Sequence, residues 1–444
     1  MEEKSGLKKT ITFWPALSMV VGTVIGAGVF FKASAVTQYT GSSSLSMLAW
    51  FVGGVVTICA GLTGAELAAA IPQTGGLTTY IEHTYGSFWG FLAGWAQGII
   101  YFPANVAALA IVFGTQTCNL LGLSNGLIVP IAIVAAVSLT LINFAGAKAA
   151  GYVQTIATVV KLIPLALIVV FGFFHQGGGD FSLFPVVAGP HHSFWTALGN
   201  ATFATMFAYD GWIHVGNIAG EMKNPKRDLP LAISMGIVTI MAVYLLVNAV
   251  FLYILPINHI AGNLNAASDV AGLLFGGIGG KLVTIGILIS VYGGLNGYTT
   301  TGMRIPMKMG QEHKLPWGDK FSELTKGTAV PWFSGIVQLI IACLMMLSGQ
   351  FDSITNMLVF VIWIFYVMAF IAVFVLRKRE PDLERPYKVP LYPIIPIIAI
   401  IGGVFILVVT LFTQWLTSAI GIVLTLIGIC FYYPLDKKYH FSGK

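Results

Sequence analysis

About twelve apolar runs, each close to the 20 residues that carry an α-helix across a bilayer, occupy almost all of this chain. In hydrocarbon every backbone N–H and C=O must find its partner within the protein, so such runs fold as helices. They lie near residues 12–38, 45–71, 88–115, 126–146, 150–174, 194–220, 231–255, 278–303, 331–348, 353–376, 392–413 and 415–434. A composition of 57% hydrophobic and 9% charged residues, with a mean hydropathy of +0.85, excludes a soluble globular domain. The expected fold class is therefore an all-α polytopic membrane protein. The stretch before the first run is short and polar, without a cleavable signal pattern.

Charge placement sets the orientation. If the N-terminus starts inside and the chain crosses twelve times, 20 of the 23 Lys and Arg residues fall in inward-facing segments. Lys32 and Lys281 then lie toward the outside, and Lys161 lies within a span. That asymmetry satisfies the positive-inside rule, with both termini cytoplasmic, and leaves the basic balance needing no nucleic-acid partner. Cys59, Cys118, Cys343 and Cys430 are scattered singly, which indicates neither a disulfide framework nor a metal site. Cys118, near the outer end of the third run, is the one position where a cross-link to a partner is conceivable; burial as an apolar thiol is the alternative. His191-His192 is a pair without further ligands.

Two of the runs are interrupted. Val24-Ile25-Gly26-Ala27-Gly28-Val29-Phe30 places glycines in the middle of the first, and Ala204-Thr205-Met206-Phe207-Ala208-Tyr209-Asp210-Gly211-Trp212 places an Asp-Gly pair within the sixth. Glycines also let membrane helices pack closely. Five spans separate the two interruptions, so the halves they begin run in opposite senses. Corresponding broken helices in two halves point to an inverted repeat with a substrate site at the membrane midplane. The expected units are 1–174 (helices 1–5), 194–376 (helices 6–10) and two appended helices over 392–434. Residues 256–277, a long outer connection, are expected to lie over the site as a lid.

Lys161 lies eleven residues beyond Ala150, about 16 Å into the fifth helix. A lysine at a helix centre costs about 2.5–3.5 kcal/mol on insertion scales, so it should face the bundle interior rather than snorkel to the interface. Its ammonium either holds carbonyls freed by the first interruption, in place of a metal cation, or gains and loses a proton. Asp210 has two readings, beside a substrate ammonium or as the cap of a restarting half-helix. His214 is one turn beyond it, and Glu66, near the inner end of the second span, is expected to be structural.

The chemistry suits a zwitterion. A half-helix N-terminus offers free amides to a carboxylate, and the C-terminus of the preceding half offers free carbonyls to an ammonium. The candidate groups are the amides of Ala27 and Gly28, and the carbonyls of Ile25, Phe207 and Ala208; Gly26, Tyr209 and Asp210 complete the set. Phe207 is placed to act as an aromatic gate.

Several stretches carry a specific resemblance: Val21-Gly22-Thr23-Val24-Ile25-Gly26-Ala27-Gly28-Val29-Phe30, Gly64-Ala65-Glu66-Leu67 with Gly75-Gly76 and Tyr85-Gly86, Val160-Lys161-Leu162, Phe207-Ala208-Tyr209 and Gly211-Trp212 ahead of Glu221 and Asn224-Pro225, and Gly293-Gly294-Leu295-Asn296-Gly297 running to Arg304. In this order, across nearly the whole chain, they resemble the amino acid–polyamine–organocation superfamily. Within it they are similar to the sodium-independent L-amino acid transporter branch, and especially to bacterial alanine-serine-cysteine and serine/threonine exchangers. The resemblance implies a LeuT-type five-plus-five inverted repeat with helices 1 and 6 unwound at mid-membrane. It also implies exchange of small neutral L-amino acids (alanine, serine, cysteine, threonine and glycine) and residence in a prokaryotic cytoplasmic membrane. Lys161 is then implied to stand where sodium-coupled relatives hold a cation, bridging the first-helix backbone and Ser290 on the eighth helix. Two departures stand out: the first interruption reads Gly-Ala-Gly where many relatives have Gly-Ser-Gly, and Asp210 occupies a position often small or neutral in the animal branch. The chain lacks the charged outer loop of the animal proteins, so no heavy-chain partner is expected, and a monomer is.

No cofactor is expected, and no nucleophile–base pair or metal-ligand spacing supports an enzyme. The remaining alternatives are a proton-coupled symporter using Lys161 as carrier, and a channel, against which the paired midplane interruptions argue.

Overall fold

The computed structural model describes residues 12–71, 76–213 and 222–441, which form helices joined by turns and short connections. The first run is two helices, α1 (Phe13–Val24) and α2 (Gly28–Thr40), and α3 (Ser43–Ala70) is the second. A short α4 (Leu77–Tyr85) leads to the third run, where α5 (Ser87–Trp95) passes through a π-helical turn, Ala96–Tyr101, into α6 (Phe102–Leu121). The fourth is α7 (Ile128–Phe144), and the fifth is α8 (Ala147–Val160) with α9 (Leu162–Gly172). The sixth begins as α10 (Phe194–Ala208) and the seventh is α11 (Pro225–Ile254). A single turn, α12 (Ile257–Ile260), precedes the eighth, α13 (Ala266–Gly302). Two short helices follow, α14 (Arg304–Gln311) and α15 (Gly318–Ser322). The last four runs are α16 (Trp332–Met346), α17 (Phe351–Arg379), α18 (Ile394–Thr413) and α19 (Trp415–Tyr439).

Among the described residues, nine helical stretches are long and apolar enough to cross a bilayer. The other three expected spans are the divided first, the sixth, described only to Ile213, and the 15-residue α16. His214, Glu221 and Gly75 lie outside the described residues.

Local chemistry accounts for the ends. The Ser42 side chain accepts the Leu45 amide at 3.2 Å and caps α3, while Gly41, with φ of 60°, closes α2 in the left-handed region. Within α13, Gly276 (φ of 69°, ψ of −174°) is non-helical and divides a first helix from the eighth span, which begins next to the expected residue 278. The expected 256–277 lid is thus partly helix. Its turn is seated by the Gly262 amide on the Ser34 carbonyl (3.2 Å) and by the Gln116 amide on the Leu264 carbonyl (2.9 Å).

Helices α1, α2, α3, α10 and α11 pack on one another, and α6, α7, α13 and α16 form a second group. Helix α17 lies against α3 and α6, with α18 and α19 packed on it. Its two ends, Asp352 and Arg377, are about 37 Å apart at helical rise. The Arg377 end belongs to the face rich in Lys and Arg. There Lys314 donates to Glu82 at 2.7 Å and to Glu312 at 2.8 Å. Burial opposes the charge of Lys314, but its bonds to Glu312 and Glu82 outweigh that and hold its pKa above the ordinary lysine value.

Glu66, buried at the end of α3, accepts Arg377 Nε at 2.8 Å, Arg377 Nη2 at 2.6 Å and the Val389 amide at 2.7 Å. The Arg377 guanidinium also lies 3.8 Å above the Tyr392 ring. This carboxylate therefore ties α3, α17 and the segment after α17 together. Removing one partner of a buried pair leaves the other uncompensated. With Arg377 22% exposed, Glu66→Ala should cost about 2–3 kcal/mol, below the range for a fully buried pair. The measurement is a lowered thermal unfolding midpoint of the detergent-purified variant; an unchanged midpoint would show that this carboxylate carries no stability.

Candidate functional site

Helix α1 ends at Val24 because Ile25 leaves helical geometry (ψ of 101°), and α2 restarts at Gly28. Two turns of free backbone groups result: the last carbonyls of α1 and the first amides of α2 have no intrahelical partner. Helix α10 ends at Ala208, and Gly211, with φ of 108°, turns the chain in a region that L side chains rarely enter. The two interruptions touch. A methyl on Gly28 would overlap the Cα of Ala208, so only glycine allows the two backbones to approach this closely.

A cavity of about 500 Å³ opens against both interruptions. Its wall includes Ile25, Gly26, Ala27, Gly28, Phe207, Ala208, Asp210, Lys161 and Ser290, which brings together all but one of the site residues expected from sequence. The exception is Tyr209. Its hydroxyl donates to the Trp50 carbonyl at 3.0 Å, turned into the α3 interface instead of the cavity. From the interruptions the cavity follows α13 past Gly294 and Gly297 to Arg304, toward the basic face. Asn296 runs beside it, donating to the Ala150 carbonyl at 3.0 Å and accepting Asn143 at 3.0 Å, which fixes α13 to α8 and α7.

Lys161 stands at the junction of α8 and α9, 6% exposed, and its Nζ donates to the Gly22 carbonyl near the end of α1. Ser290 shares the cavity, but its buried Oγ has no hydrogen-bond partner among the described residues. The ammonium therefore reaches the first-helix backbone without a bond to Ser290.

The opposite end of the cavity is sealed around Phe207. Its ring meets Phe351 edge-on at 5.6 Å. Lys32 lies above both rings, with Nζ 5.6 Å from the Phe207 centroid and 4.9 Å from that of Phe351. The same ammonium donates to Asp352 at 2.7 Å and Thr355 at 2.6 Å. Lys32 is 0% exposed and the Asp352 side chain 36% exposed, so the pair straddles the protein boundary. Sequence reasoning placed Lys32 toward the outside but missed its burial and its partner; the only signal was a charge within the first apolar run.

Asp210 is buried and satisfied by protein groups. Tyr101 donates to one of its carboxylate oxygens, and Tyr366 to the other at 3.0 Å. Tyr101 is the last residue of the π-helical turn, so that turn, the sixth-helix interruption and α17 meet on one carboxylate. Neither tyrosine was expected from sequence. Nor was Tyr244 of α11, whose hydroxyl lies 2.9 Å from the Val24 carbonyl and 3.0 Å from the Ala208 carbonyl.

The cavity wall offers amides, carbonyls and two cations, Lys161 and Arg304, and among the described residues lining it there is no nucleophile–base pair. Comparisons with known proteins agree in kind. The amino acid permease family profile matches residues 11–432. The chain is 44% identical over 437 residues to the serine/threonine exchanger SteT of Bacillus subtilis (strain 168), covering 98% of this chain and 99% of that protein. It is 30% identical over 449 residues to the cystine/glutamate transporter of Homo sapiens, covering 98% and 88% respectively. It is also 28% identical over 443 residues to the Asc-type amino acid transporter 1 of Mus musculus, covering 96% and 81%. The chain belongs to the amino acid permease family, within the amino acid–polyamine–organocation superfamily, and is a membrane transporter rather than an enzyme.

Proposed function

We propose that this protein is an antiporter exchanging small neutral L-amino acids of the serine, threonine, alanine, cysteine and glycine class, independently of sodium and by alternating access. The observation that carries this reading is the shared cavity: both interrupted helices present their free ends to one volume of about 500 Å³. Amides at Ala27 and Gly28 suit the carboxylate, and carbonyls around Ile25, Phe207 and Ala208 suit the ammonium. Beside the interruptions, Ile25, Ala27, Phe207 and Ala208 give the wall an apolar stretch that suits an uncharged side chain. The similarity to a serine/threonine exchanger supports exchange and the serine and threonine part of that class.

Lys161 acts in this reading as a resident cation on the first-helix backbone, doing without sodium. Gly22 offers it a neutral carbonyl and no counter-charge, which keeps proton-coupled symport through Lys161 as the second reading. The segments 1–174 and 194–376 are the two repeats, with 392–434 appended. The packing of α1, α2 and α3 with α10 and α11 supports that division. The basic face is cytoplasmic, with both termini there, in a prokaryotic cytoplasmic membrane. In that orientation the structure is inward-facing, with Phe207, Lys32 and Asp352 as the closed outer gate. The protein acts as a monomer without a heavy chain; burial of Cys118 supports this, since it removes the one cysteine considered for a cross-link.

The deciding experiment is radiolabelled serine and alanine uptake into proteoliposomes, with and without unlabelled substrate inside, repeated under an imposed proton gradient. We expect uptake to rise at least tenfold with internal substrate and to ignore the gradient. Gradient-driven uptake into empty vesicles would instead establish the symporter. Lys161→Ala should remove at least nine-tenths of exchange in either case. The gate makes a separate prediction. Asp352→Asn weakens the closed outer end and raises the outward-facing fraction. Apparent affinity scales with the competent fraction, so the external half-saturation concentration should fall about threefold or more and the internal one should rise. Half-saturation values on both faces that match those of the unaltered protein would count against this ion pair as a gate.

A further inference from the structure

Arg304 stands at the far end of the cavity, apart from the groups that the interrupted helices offer to a substrate. It is the first residue of α14, exposed on the basic face, and it lines the same cavity as both interruptions. Distance separates the two ends. Arg304 lies ten residues beyond Gly294, about 15 Å at helical rise, and the interruptions lie past Gly294 again. An amino acid carries its carboxylate and ammonium on one carbon, so a small one held by the interrupted helices does not reach this guanidinium. The separation also exceeds the screening length of about 8 Å at physiological ionic strength, so Arg304 adds little to the field at the interruptions. Its Nη1 donates to the Thr300 carbonyl at 2.7 Å, a neutral acceptor one turn back. That bond holds the side chain against α13 and uses one of five N–H donors, leaving the fork that a carboxylate accepts in bidentate fashion. Asp210, the one carboxylate among the described residues lining the cavity, is engaged by Tyr101 and Tyr366 at the sixth-helix interruption. Between the two ends the way is open. A methyl added at Gly151 of α8 would meet nothing within 4 Å among the described residues, and one at Gly297 of α13 would lie 3.6 Å from the Gln154 oxygen. Gln154, Asn296, Thr300 and Thr301 give this stretch a polar lining.

We propose that Arg304 forms a second substrate station at the cytoplasmic mouth of the cavity. Its guanidinium takes the carboxylate of an amino acid before the interrupted helices bind it, or after they release it. This rests on the amino-acid exchange reading above and on its orientation. It adds that entry from the cytoplasm is read first by the carboxylate alone. An N-acylated amino acid keeps that carboxylate and lacks the ammonium, so it occupies the station from the cytoplasmic side, whereas the central site needs both charges.

The test uses the full-length protein in membrane vesicles of known orientation, inside-out or right-side-out, loaded with unlabelled serine and given radiolabelled serine. In inside-out vesicles Arg304→Gln should raise the half-saturation concentration about fivefold, the equivalent of about 1 kcal/mol. In right-side-out vesicles it should leave that value within twofold. Arg304→Lys, which keeps the charge and loses the fork, should raise the cytoplasmic value about twofold. N-acetylalanine should inhibit inside-out vesicles of the unaltered protein at least fivefold better than those of Arg304→Gln, and should not inhibit right-side-out vesicles. These values report only folded, working protein, so a reduced yield of a variant does not mask them. A residue that merely gates would shift the balance between inward-facing and outward-facing forms and move the two half-saturation values in opposite directions, which overturns the proposal. So does an unchanged cytoplasmic value in Arg304→Gln, or a shift confined to right-side-out vesicles. Serine exchange on which N-acetylalanine acts from neither side, or equally from both, overturns the station and leaves the exchange reading standing. Absence of serine exchange in the unaltered protein overturns the functional reading, and this inference with it.

Discussion

The structure depends on one constraint: a backbone amide or carbonyl freed inside hydrocarbon must be met by something within the protein. Two helices are interrupted here at the same depth, and most of the unusual features nearby follow from serving the freed groups. Tyr244 reaches the last carbonyls of both, Lys161 takes the Gly22 carbonyl, and Gly28 lets the two turns lie against each other. What stays open faces the cavity. A zwitterionic ligand completes a hydrogen-bonding scheme that the protein leaves unfinished, so few charged side chains are needed at the membrane centre.

Charge is instead placed at the ends of α17. One end carries Asp352, bound to Lys32 of α2; the other carries Arg377, bound to Glu66 of α3. The two contacts differ in solvation. At the basic face the carboxylate is buried and its arginine partly wet, whereas at the opposite face the ammonium is buried and its aspartate partly wet. Phe207 and Phe351 shield Lys32 with their ring faces, an arrangement that partly replaces the water the ammonium has lost. A long helix pinned by opposite charges to the bundle that carries both interruptions is suited to hold one face shut.

Much of this was legible from residue order. Span limits came within a few residues because hydropathy is a local property, and the first interruption was readable from Gly26-Ala27-Gly28 together with its counterpart in the sixth run, since a glycine pair alone, such as Gly53-Gly54, serves packing within a continuous helix. The depth of Lys161 followed from counting residues at helical rise. What escaped were pairings made across the fold: Tyr101 with Asp210, Tyr366 with Asp210 and Lys32 with Asp352 join residues more than 100 positions apart. A tyrosine in an apolar helix carries no mark of where its hydroxyl points. Tyr209 misled for that reason, since its place in the motif suggested the cavity while its phenol turned to Trp50. What the sequence reading left as connection was the short helix from Ala266 up to the break at Gly276, because a ten-residue helix is too short to read as a span.

The π-helical turn at Ala96–Tyr101 has a consequence for how this chain can change by descent. A π turn holds one residue more than the α-helical turn it replaces, and each residue rotates a helix by about 100°. The two parts of the third span therefore present faces that an uninterrupted helix would set out of phase. One of those faces, through Tyr101, meets Asp210. Losing a single codon within this turn would spare the helix, its length and its hydropathy, yet swing every side chain on one part by a quarter turn and more. Point substitutions along α5 and α6 are thus far safer than insertions or deletions, and the spacing of these residues is inherited under a stricter rule than their identity.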